Sequence, residues 1–287
     1  VDNDVHIWDE WAYAKYKKEV MQHPDGNCMC HGFTKETVPT MEQFIGRIKN
    51  EVGFAERWGN LGEGTYGGMW RAFPYYGEEA DEDQYGFNGA KIGVRGTVDQ
   101  LKKVLDKLKS NPLDRRMIVS AWHPYWVDHC ALPPCHCLFH FNTQELTWQE
   151  RIEIGEERDP KANLLRLGDD DLDKLSIPRR RLNLLLYQRS CDTFLGVPFN
   201  ITSYALLLAM VAHVSGMVPG TFTHTYGDLH IYKNHQDQVK LQMARKPKLL
   251  PKLWLNPEVK NLFDFKYDDI KLIGYEPHPA IKADVAV

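Results

Sequence analysis

Apolar residues recur at three- and four-residue intervals in WAYAKYKKEVMQ (11–22) and again in MEQFIGRIKNEVGFAERW (41–58), which predicts helices over both. The stretch between them, HPDGNCMCHGFTKETVP, is rich in turn formers and reads as a loop. A third helix is predicted from Thr97 to Ser110, where Val98, Leu101, Val104, Leu105 and Leu108 form one stripe and Asn111-Pro112 ends it. β-Branched and aromatic content predicts strands at MIVSAW (117–122) and CLFHFN (137–142), bracketing the loop WHPYWVDHCALPPCH. Leu182–Tyr187 is predicted as a buried strand, and Ser203–Val214, closed at Gly216, as the most apolar and central helix. Between them, Glu150–Arg181 turns highly charged, with GDDDLDK (168–174) and three successive arginines at 179–181. It is expected to be an exposed excursion with too little apolar surface to form a core.

Composition narrows the class. The 287 residues are 43% hydrophobic and 26% charged, which is ordinary globular usage. Thirty-five Lys and Arg against 39 Asp and Glu leave a net charge of −4, so no global basic field draws the chain to nucleic acid or an anionic membrane. The strongly apolar run Tyr204–Val214 is shorter than the ~20 residues a bilayer requires, so no membrane segment is predicted. The first residues carry no signal-like pattern, and a cytoplasmic location is expected. Six unevenly spaced cysteines do not make a disulfide framework. Without a repeat or a clear linker, the expectation is one catalytic domain over 1–287, with inserts at about 12–60 and 145–180.

Several positions could carry chemistry. Cys135 follows two prolines that fix its approach and suit it to be a nucleophile; the alternative is a small buried hydrophobe. Arg189 and Ser190, after the apolar run LNLLLY, could bind a phosphate, and Arg189 could lower a neighbouring thiol's pKa; the alternative is a buried pair with Asp192. Arg115 and Arg116 form either an anion site or a solvated corner. Asn200, after FLGVPF, could read a pyrimidine edge or cap the next helix. His230 and Tyr232 lie two apart on an expected strand, where they could grip a sugar or be satisfied core groups. Cys28, Cys30 and His31 give only a weak zinc signal, no metal is expected, and neither a P-loop nor a dinucleotide fingerprint is present.

Taken together, IWDEW (7–11), YGGMWRAFP (66–74), NPLDRRMIVSAWHP (111–124), CALPPCH (130–136), LYQRSCDTFLGVPFNITSYALL (186–207), GDLHIYKNHQDQ (227–238) and the tail from Tyr275 to Val287 resemble the thymidylate synthase family. The resemblance implies an α+β single domain on a large mixed β-sheet with packed helices. It implies Cys135 as nucleophile, Arg189 and Ser190 as phosphate ligands, and Arg115 and Arg116 reaching the phosphate of the opposite subunit of a homodimer. Asn200 then recognises the uracil edge and His230 and Tyr232 the ribose. Trp8, Trp11, Leu132, Asp192, Leu195, Gly196 and Phe199 match the folate pocket, Tyr66 lies beside the reacting carbons, and Val287 ends a closing tail. The implied reaction takes dUMP to dTMP. Thiolate addition to uracil C6 makes C5 nucleophilic, and 5,10-methylenetetrahydrofolate donates methylene and hydride.

The family usually carries a longer segment before IWDEW, with a phosphate-loop arginine and a proton-handling glutamate. Val1 lies almost at that motif, so the sequence is expected to be a piece of a longer chain. Two other functions fit the same residues: a pyrimidine hydroxymethylase, in which water quenches the methylene, and a non-catalytic binding partner, for which Arg179–Arg181 would be the RNA contact. The adjoining acidic run argues against RNA.

Overall fold

In the computed structural model, which describes residues 9–21, 27–28, 33–34, 39–58, 64–76 and 94–285, the chain divides into two compact units. One comprises residues 1–99 with 120–134, the other 100–119 with 135–287.

In the first unit the two N-terminal periodicities become α1 (Asp9–Met21), α2 (Met41–Asn50) and α3 (Phe54–Trp58). Their apolar stripes converge on Ala12, Tyr16, Phe44, Phe54 and Trp58. A capping box starts α2, with the Thr40 hydroxyl accepting from the Gln43 amide and the Gln43 side chain accepting from the Thr40 amide. Arg47 lies 4.0 Å over the Phe54 ring and pairs with Glu51 at 2.6 Å. Within the predicted loop, β1 (Asn27–Cys28) and β2 (Phe33–Thr34) pair antiparallel. The unit continues through α4 (Tyr66–Ala72), β3 (Phe73–Tyr76) and β4 (Val94–Val98), the last two antiparallel. Thr97 and Val98 therefore belong to a strand, paired with Pro74 and Phe73, and not to the helix expected there.

In the second unit α5 (Gln100–Ser110) buries Leu101, Val104, Leu105 and Leu108, the rest of the expected stripe. The sheet runs in the order β5 (Ile118–Ser120), β6 (His136–Glu145), β7 (Arg180–Asp192), β8 (Val218–His230). β7 is antiparallel to β6 and parallel to β8, so the sheet is mixed and the class is α+β, as the resemblance implies. Period-two alternation explains β7: Leu182, Leu184, Leu186 and Gln188 share its buried face. The parallel return to β8 is made by α8 (Gly196–Val214), which packs on both strands and buries Val197, Tyr204, Leu208, Val211 and Ala212. This helix begins at Gly196, not at Ser203. Its 19 residues are long and apolar enough to cross a bilayer, unlike the shorter run expected, although it packs here on the sheet. A positive φ of 66° at Gly216 closes it. After β8 come α9 (Gln236–Met243) and the antiparallel pair β9 (Lys252–Leu255) and β10 (Ile270–Ile273).

The charged stretch corrects its expectation. It forms α6 (Trp148–Arg158) and α7 (Asp169–Lys174), which enclose a small core of Ile152, Leu164, Leu172 and Ile177. Arg151, only 2% exposed, joins the two helices through Asp169 and through Asp173 at 2.6 Å, and donates to the Ile177 carbonyl at 3.1 Å. The opposite charges neutralise one another at the joint, and four widely spaced apolar residues suffice for a core.

Gly155 on α6 is closely covered: a Cβ there would lie 2.3 Å from Leu164 Cδ1 and 2.7 Å from Ile177 Cδ1. Gly-to-Ala exchange inside a helix ordinarily stabilises by up to about 1 kcal/mol. Here the two methyls would have to turn aside inside a core where Leu164 and Ile177 are both buried, so Gly155→Ala is expected to lose about 1–3 kcal/mol in urea denaturation. A gain in stability would show that the α6–α7 core is looser than described.

Candidate functional site

Cys135 is half-buried at the entrance to β6, directly after Pro133 and Pro134. The β6–β7 register sets His136 opposite Gln188, and the Arg189 amide donates to the Cys135 carbonyl at 2.8 Å. That pairing brings Arg189 Nη2 to 3.9 Å from Cys135 Sγ. Burial pushes the thiol's pKa up and the guanidinium pulls it down, with burial the stronger, so the net shift is upward. The expectation that Arg189 favours the thiolate holds in direction, but it does not outweigh desolvation. Cys130, Cys135, Cys137 and Cys191 take part in no disulfide.

Close approach of β8 fixes the other side of Arg189. A Cβ at Gly227 would lie 2.7 Å from the Arg189 carbonyl oxygen, so only glycine fits. Ser190 pairs with Asp228 and Asp192 with His230 in the parallel ladder. Asp192 Oδ1 accepts from the Phe194 and Leu195 amides at 3.0 and 3.3 Å, which shapes the turn into α8. His230 ends β8 and Tyr232 lies beyond it, so the two do not share a strand face as expected. Their rings meet edge to face at 4.9 Å instead.

Asn200 lies inside the first turns of α8 and does not cap it. Its Oδ1 accepts from Gln188 Nε2 at 2.9 Å, and the same nitrogen donates to the Ser190 carbonyl at 2.9 Å. Gln188 Oε1 can only accept, so His224 Nε2, 2.9 Å away, carries a proton. His224 Nδ1 is buried and makes no hydrogen bond among the described residues, consistent with a neutral ring. His136 is held down at about 4, first by burial, then by His224, while a hydrogen bond with the Asn200 side chain works the other way. The Tyr204 hydroxyl lies 3.2 Å from His136 Nδ1 and completes the network. With Asn200 Oδ1 engaged by Gln188, the Asn200 amide nitrogen is the group left to donate.

Gln188, His136, His224 and Tyr204 were not singled out from sequence. Gln188 did leave a signal, because it continues the buried phase of Leu182, Leu184 and Leu186, where an amide must be bonded. Of the remaining expected residues, Leu195 and Phe199 line a groove of about 880 Å³ together with 245–251 and Tyr275–Ile281, and Phe199 is 72% exposed. Gly196 is the first residue of α8. Arg115 and Arg116 are exposed after α5, Arg116 lying 3.5 Å from Asp114, whose carboxyl is lowered first by Lys107. Tyr66 opens α4 in the first unit, 5.8 Å from the Trp70 ring, and Leu132 is half-buried in that unit. Trp11 lies on α1. Trp8, Val287, Cys30 and His31 lie outside the described residues. Among the described residues no group of three His, Cys, Asp or Glu side chains could hold a metal.

A family model described as Thymidylate synthase matches residues 1–287. The chain belongs to the thymidylate synthase family. A protein named thymidylate synthase from Mycoplasma pneumoniae is 40% identical over 287 residues, which is all of this chain and 75% of that relative. One of the same name from Mycoplasma mobile is 41% identical over the same span and share. Family membership agrees with the order of the motifs, and it supports thymidylate synthase chemistry in general terms.

The depressed pKa of His136 makes stability depend on pH. In an unfolded chain the ring titrates near 6.5, and in the fold at about 4. The unfolded state therefore binds the extra proton between these values, and stability present above pH 6.5 is lost as pH falls toward 4, by up to about 3 kcal/mol. Denaturant titrations from pH 7 to pH 4.5 should show a shallower loss for His136→Gln than for the wild type. Identical slopes would mean that His136 is not held neutral.

Proposed function

We propose that this chain methylates dUMP to dTMP, with 5,10-methylenetetrahydrofolate as donor of both the methylene and the hydride. Cys135 adds to uracil C6, which makes an enolate across C5, C4 and O4 that attacks the one-carbon unit. Arg189 and Ser190 bind the phosphate, and His230 and Tyr232 the ribose. Leu195, Gly196, Phe199 and Asp192, with Trp8, Trp11, Leu132 and Tyr66, take the folate. The 275–287 tail excludes water from the exocyclic methylene intermediate.

The observation that carries this reading is the orientation of Asn200. An amide whose oxygen is engaged by Gln188 offers N–H to the position next to it. That donor complements O4 of uracil and the charge that develops there, and it opposes the amino group of cytosine. The proximity of Arg189 to Cys135 supports thiolate chemistry next to a bound anion. A homodimer fits the sheet: opposite the face covered by α8, Tyr187, Thr223 and Thr225 are exposed on adjoining strands. In that dimer, exposed Arg115 and Arg116 of each subunit would complete the other's phosphate site.

The test is a single assay with dUMP and 5,10-methylenetetrahydrofolate, followed by the near-ultraviolet rise of dihydrofolate, product mass, and tritium release from C5-labelled dUMP. dTMP and dihydrofolate in equal amounts are expected, and Cys135→Ser should lower tritium release by at least about 10³-fold. Hydroxymethyl-dUMP without dihydrofolate would replace the reading by the hydroxymethylase, and undiminished release from Cys135→Ser would remove the nucleophile.

A further inference from the structure

His235 is fully buried, at the junction between the 3-10 turn Lys233–His235 and α9. Its ring lies between Phe194 at 5.6 Å and Tyr232 at 5.7 Å. Its Nε2 is 2.8 Å from the carbonyl oxygen of Asp284, a residue that is itself exposed, and Asn234 Nδ2 reaches the same oxygen at 3.4 Å. A carbonyl only accepts, so the ring proton is on Nε2. Nδ1 then turns toward Asp192 Oδ1, 3.9 Å away, and makes no hydrogen bond among the described residues. The same Asp192 oxygen shapes the turn at Phe194 and Leu195. A second histidine ties the segment further back: His278 Nε2 bonds the Lys246 carbonyl at 2.9 Å.

We propose that His235 is the positioning residue of the C-terminal tail, a buried post that pins Asp284 and fixes the tail against the turn formed by Asp192, Phe194 and Leu195. The geometry is economical, because one ring is gripped by the residues that shape the start of α8 and holds a backbone carbonyl that any tail sequence would present. Apart from the Asp284 carbonyl, the tail end is exposed at Asp284 and Val285, so its docking depends on few contacts. Loss of the post should free the tail without disturbing Cys135, Arg189 or the Asn200 network, none of which His235 is shown to touch. The consequence for turnover rests on the synthase reading: a tail that no longer docks lets water reach the methylene after C5 has lost its hydrogen.

The test uses the full chain and reads the tail directly. Trypsin cleaves after Lys282, and release of the Ala283–Val287 peptide can be followed by mass spectrometry. His235→Phe keeps the ring's bulk and removes the donor, and should release the peptide about fivefold faster, the order expected for one lost hydrogen bond. His235→Gln restores a donor and should fall back toward the wild-type rate. Wild-type release from folded His235→Phe would overturn the proposal. Should that variant not fold, nitrogen-15 spectra of the wild type decide: a slowly exchanging Nε2–H supports the post, and an Nδ1–H tautomer overturns it. In the activity arm, His235→Phe should retain C5 tritium release while dihydrofolate formation falls, a split that general destabilisation would not produce. If the wild type shows neither activity, the synthase reading fails, while the proteolysis result still judges the post.

Discussion

A primary amide buried in a β-strand costs about 1–3 kcal/mol for each polar group left unbonded, and Gln188, 3% exposed, meets that constraint by joining three elements. Its nitrogen donates to Asn200 on α8 and to the Ser190 carbonyl on its own strand, and its oxygen accepts from His224 on β8. Hydrogen-bond direction then passes along the network, since each donor fixes which end of the next group must accept. His136 is kept neutral by the same burial, and the result at the surface of the network is an amide with its nitrogen to give. On the proposed function, recognition of the pyrimidine would follow from satisfying a buried glutamine.

The same register that buries Gln188 brings Arg189 to Cys135. With one face of β7 taken by Leu182, Leu184, Leu186 and Gln188, the next residue, Arg189, falls to the opposite face, and its Nη2 lies 3.9 Å from Cys135 Sγ. A slip of one residue would put the guanidinium in the core and the amide beside the thiol. Gly227 holds β8 close behind Arg189, where any side chain would strike its backbone. Burial of Cys135 and the charge of Arg189 oppose each other at the sulfur, which leaves a thiol whose ionisation depends on its surroundings.

Much of this was legible in the sequence, for identifiable reasons. The stripes of α2 and α5 and the alternation of β7 are periodic signals, and Cys135, Arg189 and Asn200 stood out by local context. The network was not legible, because His136, Gln188, Asn200, Tyr204 and His224 come from four elements and meet only through pairing and packing. His235 was hidden for the same reason, its partner lying 49 residues away. The α6–α7 segment misled because charge content was read without pairing: Arg151 joined to Asp169 and Asp173 turns opposite charges into a joint over a four-residue core. The helix start at Gly196 was missed because Gly and Pro oppose helix in isolation, whereas Asp192 shapes the turn leading into it.

The central claim is that Gln188 orients Asn200 to favour a carbonyl over an amine at pyrimidine C4. Its most direct test is the ratio of kcat/KM for C5 tritium release from dUMP and from dCMP, in the wild type and in Gln188→Met, which preserves volume and removes the amide. The account predicts that the preference for dUMP falls about tenfold or more in a folded Gln188→Met protein, since Asn200 is then able to turn either end outward. An unchanged ratio in that variant would contradict it.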